Sequence, residues 1–432
     1  MSILDRRRIS RTMRRSLTVA AAVAIALSAA ACASSSSSSS GGTTTSSGSK
    51  TPIKVAQITT ISGGYPFGAV VPGTQAYFKL INSQGGIDGH PIQFVYGDDK
   101  GTASQAAELA RLYVLQDHVV AMVGNTSLAD CNTNQGFYTA NGIAVIGGGT
   151  EPLCFSQANW DPVNAGPYYG KVVQWQYTFN VLKPNAVCEI EQNDPTSIPY
   201  YNQLRSWFEA QNPGVAAKFK EITYTNDATQ NPTPAVAHAK ALGCDLVELS
   251  TVAPNMVAFV KAAKAVGLDA TFITLGSGYD TSVPATLGSL GDPGALGPND
   301  KGVFVGAELA AVNSTNPQVQ LMVNTFKADN VPANFWSEIG WVSAATFVAA
   351  LKQGASKYDI TTAKGVLQAL QNMTPYSSGF AANAMDFGPN SSHPGNRGSQ
   401  MVLVSNGTWV VAPNQNDGDY EVVHGLLPAP TS

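Results

Sequence analysis

Apolar positions along this chain change period repeatedly, and the changes come in a regular order. From Ile53 onward, short runs rich in β-branched residues alternate with stretches whose apolar residues recur at helical i, i+3 and i+4 spacing. The first cycle predicts strands at 53–59, 92–97, 119–123 and 143–147, with helices at 70–83, 102–116 and 128–141 between them. Thr102 suits an N-cap, and Ala106, Leu109 and Tyr113 then share one helical face. A second cycle predicts strands at 186–191, 218–224, 245–250 and 270–275, with helices at 199–211, 233–243 and 254–267. Strands joined by helical crossovers give the α/β class with doubly wound parallel sheets, and two similar cycles give two similar lobes. A third block has a strand at 302–306 and helical patterns at 316–330, 335–354 and 361–372. It ends on β patterns at 385–387, 401–404 and 409–411, with Asn406-Gly407 as a turn. The pattern leaves open which sheet these late segments join.

One junction is unusually well punctuated. Ala76, Tyr77, Leu80 and Ile81 form a helical face, Gly85-Gly86 stops it, and Asp88-Gly89 is a turn pair. Ile92, Phe94 and Tyr96 then alternate as a strand that runs out into Gly97-Asp98-Asp99. The two aspartates sit side by side at a strand end and point to opposite faces, so a turn and a helix cap explain them better than a metal site.

The N-terminus reads as an address. Six arginines between Arg6 and Arg15 precede an apolar run from Ser16 to Ala31, too short to span a bilayer. Ala31-Cys32 resembles the lipid-attachment box of a lipoprotein, with Ala29 where leucine is usual three residues before the cysteine. Residues 34–50 are almost entirely Ser, Gly and Thr, a composition that makes a flexible tether. The formal charge of −4 becomes −9 once the leader's six arginines and one aspartate, together +5, are removed. An acidic body without a basic stripe argues against nucleic acid. No later run is long and apolar enough for a transmembrane helix. Beyond Cys32 stand four cysteines, Cys131, Cys154, Cys188 and Cys244, which allow three pairings and show no CxxC spacing. No GxSxG, HExxH or GxxxxGK[ST] motif is present, and the five histidines are scattered. No enzyme activity, cofactor or metal is expected.

The junction Ile81 to Ile92 with Asp98-Asp99 resembles the "INaaGGInGrpI…DD" segment of the leucine/isoleucine/valine-type extracellular solute-binding proteins of ABC importers. Ile53 to Gly68, Val119 to Ser127 and Gly142 to Thr150 follow the same family in order, and the resemblance covers roughly residues 52–410. It implies a type I periplasmic-binding-protein fold whose two lobes are joined by a three-strand hinge. The division then reads 1–31 signal peptide, 32–51 anchor and tether, 52–170 plus 305–377 first lobe, and 171–304 plus 378–432 second lobe. The implied protein is a monomer held on the outer face of the cell membrane through Cys32. Its partners would be a small-molecule ligand and the permease and ATPase subunits of an importer. A sensory lipoprotein of the same fold is the alternative.

The resemblance also implies site residues. Ser127 and Thr150, with amides beside Gly149, would hold a ligand carboxylate. Phe67 would line the pocket, and Tyr200 would face the cleft from the second lobe, with Tyr201 as its rival. Tyr65, Tyr168 and Tyr279 are further aromatic candidates. Each of the pairs Cys131–Cys154 and Cys188–Cys244 falls within one implied lobe, and cross-lobe pairs would lock the hinge, so these two disulfides are expected. The family's branched-chain amino-acid binders carry a carboxylate just after the proline of the loop at 250–256, where this chain has Asn255. That departure predicts a carboxylate- or amide-bearing ligand without a free α-amine, unless Glu151 or Glu308 supplies the charge.

Overall fold

A computed structural model describes residues 50–63, 66–192, 197–224, 231–289, 301–388, 395–412, 415–424 and 427–428, which fall in one contiguous body. Cys32, the leader and nearly all of the tether lie outside the described residues, as does Tyr65.

The first sheet holds β1 (Ile53–Thr59), β2 (Ile92–Asp98), β3 (Ala121–Asn125), β4 (Ala144–Gly147) and β5 (Trp160–Pro162), all parallel, in the order β2-β1-β3-β4-β5. Central strands β3 and β4 are buried on both faces, which is why they read as unbroken apolar runs rather than alternations. One face is covered by α2 (Ala103–Arg111) and α3 (Asp130–Ala140). The other is covered by α1 (Val70–Ser83), with three later helices placed here out of sequence order below. The punctuated junction works as its residues dictate. Gly85, Gly86, Asp88 and Gly89 all have positive φ, and Asn82 bonds both the N–H and the carbonyl of Ile92 at 2.8 Å, fixing where β2 starts.

The second sheet follows after α4 (Gly166–Tyr177). It contains β6 (Val187–Gln192), β7 (Phe219–Tyr224), β8 (Leu246–Leu249), β9 (Thr271–Thr274) and β10 (Val303–Ala307). Its parallel part runs β7-β6-β8-β9-β10, the same winding as the first sheet, and the antiparallel strands β11 (Gly398–Ser405) and β12 (Thr408–Val411) extend it beyond β10. A short β13 (Glu421–Val422) also pairs with β11. α4 and α5 (Ile198–Gln211) cover one face of this sheet. α6 (Thr233–Ala241), α7 (Ala253–Val266) and α8 (Val283–Gly288) cover the other. The remaining helices α9 (Pro317–Asp329), α10 (Phe335–Gly354) and α11 (Ala363–Gln371) return to the first sheet. α10 packs on α1 at glycines: a Cβ on Gly73 would run into the Ser337 carbonyl, and one on Gly340 into that of Val70. An Asn334–Ser337 capping box starts α10 where the sequence pattern placed its beginning.

Three expectations need adjustment. The expected boundary at 304/305 falls inside β10, and the chain leaves the second sheet only after Ala307. The expected strand at 385–387 is a single bridge between Tyr376 and Met385. The helix at 102–116 changes to wider π turns over Leu112–Gln116. The late β segments join the second sheet and the late helices the first, so the chain passes between sheets three times. Three hydrogen-bonded connections meet there: Gly166 N donates to Glu308 Oε2 at 2.9 Å, Ala310 N to Phe380 O at 2.8 Å, and Asn396 Nδ2 to Glu308 O.

The structure joins Cys131 to Cys154 and Cys188 to Cys244, each with Cα atoms 5.7 Å apart. The first ties α3 to the turn at Pro152–Ser156, and the second ties β6 to the residue leading into β8.

Candidate functional site

In both sheets the winding reverses beside the first strand, between β1 and β3 and between β6 and β8. Ligands in such sheets sit beyond the carboxyl ends of the strands at that reversal. The loops after β1, β3 and β4 form the first wall. Asp99 is fully buried there and accepts from Thr60 Oγ1 at 2.8 Å, Gly101 N at 2.9 Å and the Ser127 hydroxyl. Ser127 Oγ in turn accepts from Ala129 N and Asp130 N at 2.9 Å, the amides that lead into α3. Thr150 Oγ1 donates to Ser127 O at 2.6 Å, and the Tyr168 hydroxyl donates to Thr150 O at 3.2 Å.

These bonds alter the expected division of labour. A hydroxyl has one proton, and those of Ser127 and Thr150 are both given to the protein. The Gly149 N–H is given to Asn164 Oδ1 at 2.8 Å. The donors left over are main-chain: no hydrogen bond from Ser127 N or Thr150 N is found among the described residues. Two free amides near a helix start are the chemistry that holds an anion.

The aromatic candidates divide. Phe67 is buried, with its ring 4.6 Å from Trp336, and Trp336 lies 4.8 Å from Phe335. This trio reaches the second lobe, where a Cβ on Gly276 would lie 2.9 Å from the Phe335 ring. Tyr200 is buried at the start of α5; its hydroxyl donates to Pro428 O at 2.7 Å and its ring meets Tyr168 edge-on at 4.7 Å. It is therefore held by the C-terminal segment, and its half-buried rival Tyr201 has its ring 5.4 Å from Lys171 Nζ. Tyr279 is packing: it is buried, accepts from Val312 N at 3.0 Å through its hydroxyl, and lies 5.5 Å from Trp409. Asn255 is half-buried in the first turn of α7.

The second wall carries charge that the sequence reading missed. Lys171 of α4 is fully buried against Glu191 at the end of β6, 3.1 Å from Ser250 Oγ and 3.1 Å from Glu248 Oε1. Glu189, two residues earlier in β6, accepts from Arg205 at 3.0 Å. Burial works against the Lys171 charge, yet Glu191, Glu248 and Glu189 together hold its pKa well above the ordinary value. Burial also pushes Glu248 up to about 8 despite Lys171. Glu191 Oε2 and both Glu248 oxygens are buried without an aligned hydrogen bond among the described residues. The available signal was a lone lysine in the apolar run Tyr168 to Tyr177 and two glutamates two apart in one strand. Of the alternative charges, Glu308 belongs to the lobe connections, and burial pushes it up to about 8 against surrounding N–H donors. Glu151 is buried beside Pro152. No group of three or more acidic, His or Cys residues able to hold a metal occurs among the described residues.

Residues 52–408 match the family model described as periplasmic binding protein. The chain belongs to the periplasmic binding protein family. This binding protein resembles solved structures of the leucine/isoleucine/valine type. One is a possible leucine/isoleucine/valine-binding protein from Rhodopirellula baltica, with TM-score 0.71 and 14% identity over 84% of this chain and 97% of that one. Another is a branched-chain amino acid ABC transporter protein from Thermus thermophilus with bound valine, with TM-score 0.69 and 16% identity over 84% and 96%. A fatty acid ABC transporter substrate-binding protein from Thermomonospora curvata shares the fold at TM-score 0.68 and 15% identity, over 86% and 95%. An amino acid binding protein of Pseudomonas aeruginosa is 27% identical over 205 residues, 45% of this chain; the match spans about half (52%) of that relative's length. Among the described residues no helix is long and apolar enough to cross a membrane.

Proposed function

We propose that this binding protein captures a small, amino-acid-like molecule through its carboxylate and hands it to an ABC importer, held outside the cell membrane by a lipid on Cys32. The observation that carries the reading is the pair of main-chain donors, Ser127 N and Thr150 N, that have no partner among the described residues, in the loops after β3 and β4. A bound carboxylate would accept from both, and charge-assisted bonds of this kind are stronger than neutral ones. Phe67 and Trp336, whose rings pack together, would supply the apolar edge. With neutral Asn255 at the position that resembles the family's ammonium partner, the ligand is a carboxylate without a free α-amine.

A zwitterionic amino acid is the second reading, and one observation favours it. Glu191 Oε2, at the end of β6, is buried without a hydrogen-bond partner among the described residues, so an ammonium would find an acceptor there. Calorimetric titration with leucine, valine and their 2-oxo acid analogues separates the two. The first reading expects the oxo acids to bind and the amino acids to fail. Leucine binding that is lost in Glu191→Gln would replace it with the second.

A further inference from the structure

A single side chain holds the Gly149 peptide on both sides. Gly149 N donates to Asn164 Oδ1 at 2.8 Å, and Asn164 Nδ2 donates to Gly149 O at 3.1 Å. Asn164 is buried and belongs to the first connection between lobes, fifteen residues beyond the loop it grips. Its amide is also a donor beside the Glu308 carboxylate in the second connection.

Glu308 gathers donors from both lobes. Gly166 N donates to it at 2.9 Å, and Ala165 N and Gly276 N are further donors around the same group. Gly276 lies in the 3-10 turn after β9 of the second sheet. The third connection is attached as well, because Asn396 Nδ2 donates to the Glu308 carbonyl. The Glu308 carboxyl oxygens accept from these N–H groups, and glutamine would put donors in place of one of them, so the ring defines one arrangement of the three connections. A buried donor left without its acceptor is costly, which makes the arrangement all-or-none rather than loose.

We propose that Asn164 is a positioning residue that couples the anion-holding loop to the hinge. It fixes the Gly149 peptide so that the neighbouring Thr150 N–H stays directed at the ligand. Through Glu308 it ties that loop to Gly276 of the opposite lobe. Movement of the lobes and order of the 148–150 loop are then one event. The role given to Thr150 rests on the proposed solute-binding reading, whereas the coupling itself is tested without ligand.

Hydrogen exchange read by mass spectrometry on the ligand-free mature chain tests it. Wild type is compared with Asn164→Ala, Asn164→Asp and Glu308→Gln, and a peptide over β1 serves as internal control. Coupling predicts at least tenfold faster exchange at 275–279 in Asn164→Ala, although Asn164 is not bonded to that segment. It predicts the reciprocal effect at 148–150 in Glu308→Gln. Asn164→Asp keeps an acceptor for Gly149 N but loses the donor beside Glu308, so it should loosen 275–279 more than 148–150. Where an alanine variant speeds β1 as well, it has lost the fold, and the aspartate and glutamine variants decide. Changes confined to the substituted residue's own contacts, with 275–279 at the wild-type rate in both Asn164 variants and 148–150 at that rate in Glu308→Gln, overturn the proposal.

Discussion

Lys171 Nζ stands 3.1 Å from Glu248 Oε1, and both side chains are fully buried between α4 and the second sheet. Two cations, Lys171 and Arg205, face three buried carboxylates there, so removing the lysine leaves charges with no solvent to turn to. Breaking a buried pair from one side typically costs about 3–5 kcal/mol. Lys171→Met should lose that much in urea unfolding. Glu248→Gln should lose less, because burial already pushes its carboxyl towards the neutral form and Glu191 and Glu189 still face the lysine. Equal losses in the two variants would refute this ordering.

The same burial sets the pH dependence. Burial pushes Glu248 and Glu308 up to about 8 and Asp130 up to about 6, all above their unfolded values. Between pH 4.5 and 8 the folded state therefore binds more protons than the unfolded state, and stability falls as pH rises. Asp98 and Asp245 shift the other way, but their contribution is already complete above about pH 5. Melting temperature should drop between pH 5 and pH 8.5, and Glu308→Gln should flatten the drop. A melting temperature that climbs over this range would contradict the argument.

Much of the fold was legible because most elements announce themselves. α1 and α10 have clear stops and caps at Gly85-Gly86 and Asn334, β3 is a short apolar run ending at Gly124-Asn125, and β4 is one bounded by Gly142 and Gly147. α4 was not legible. Ten of its twelve residues are buried, so it carries no amphipathic period to read. β5 has three residues and lies below what any pattern detects. At the site, the loops could be found but not the sharing of donors within them. Ser127 and Thr150 stand in loops at the sheet reversal, yet Asp99 takes one hydroxyl proton and Ser127 O the other. Those contacts link residues 23 and 28 apart, which local spacing does not encode.

The disulfides give a separate prediction. Cys131–Cys154 and Cys188–Cys244 close separations of 23 and 56 residues, and loops of that size contribute about 2–4 kcal/mol each. Replacing either pair with serines should lower the unfolding midpoint accordingly. Non-reducing peptide maps should show those two linkages, and four free thiols would defeat the assignment.

Membrane attachment is tested at Cys32. The mature chain should begin at that residue and carry acyl mass, and Cys32→Ala should appear in the medium. A wild-type protein with an unmodified N-terminal peptide would exclude the anchor.

The central claim is capture of a small carboxylate, and mass spectrometry of what leaves with the protein addresses it most directly. The protein is purified without refolding, its bound molecules are counted in the native state, and they are then released and identified. The account predicts one small carboxylic acid per chain. A bound molecule that lacks a carboxylate would contradict it.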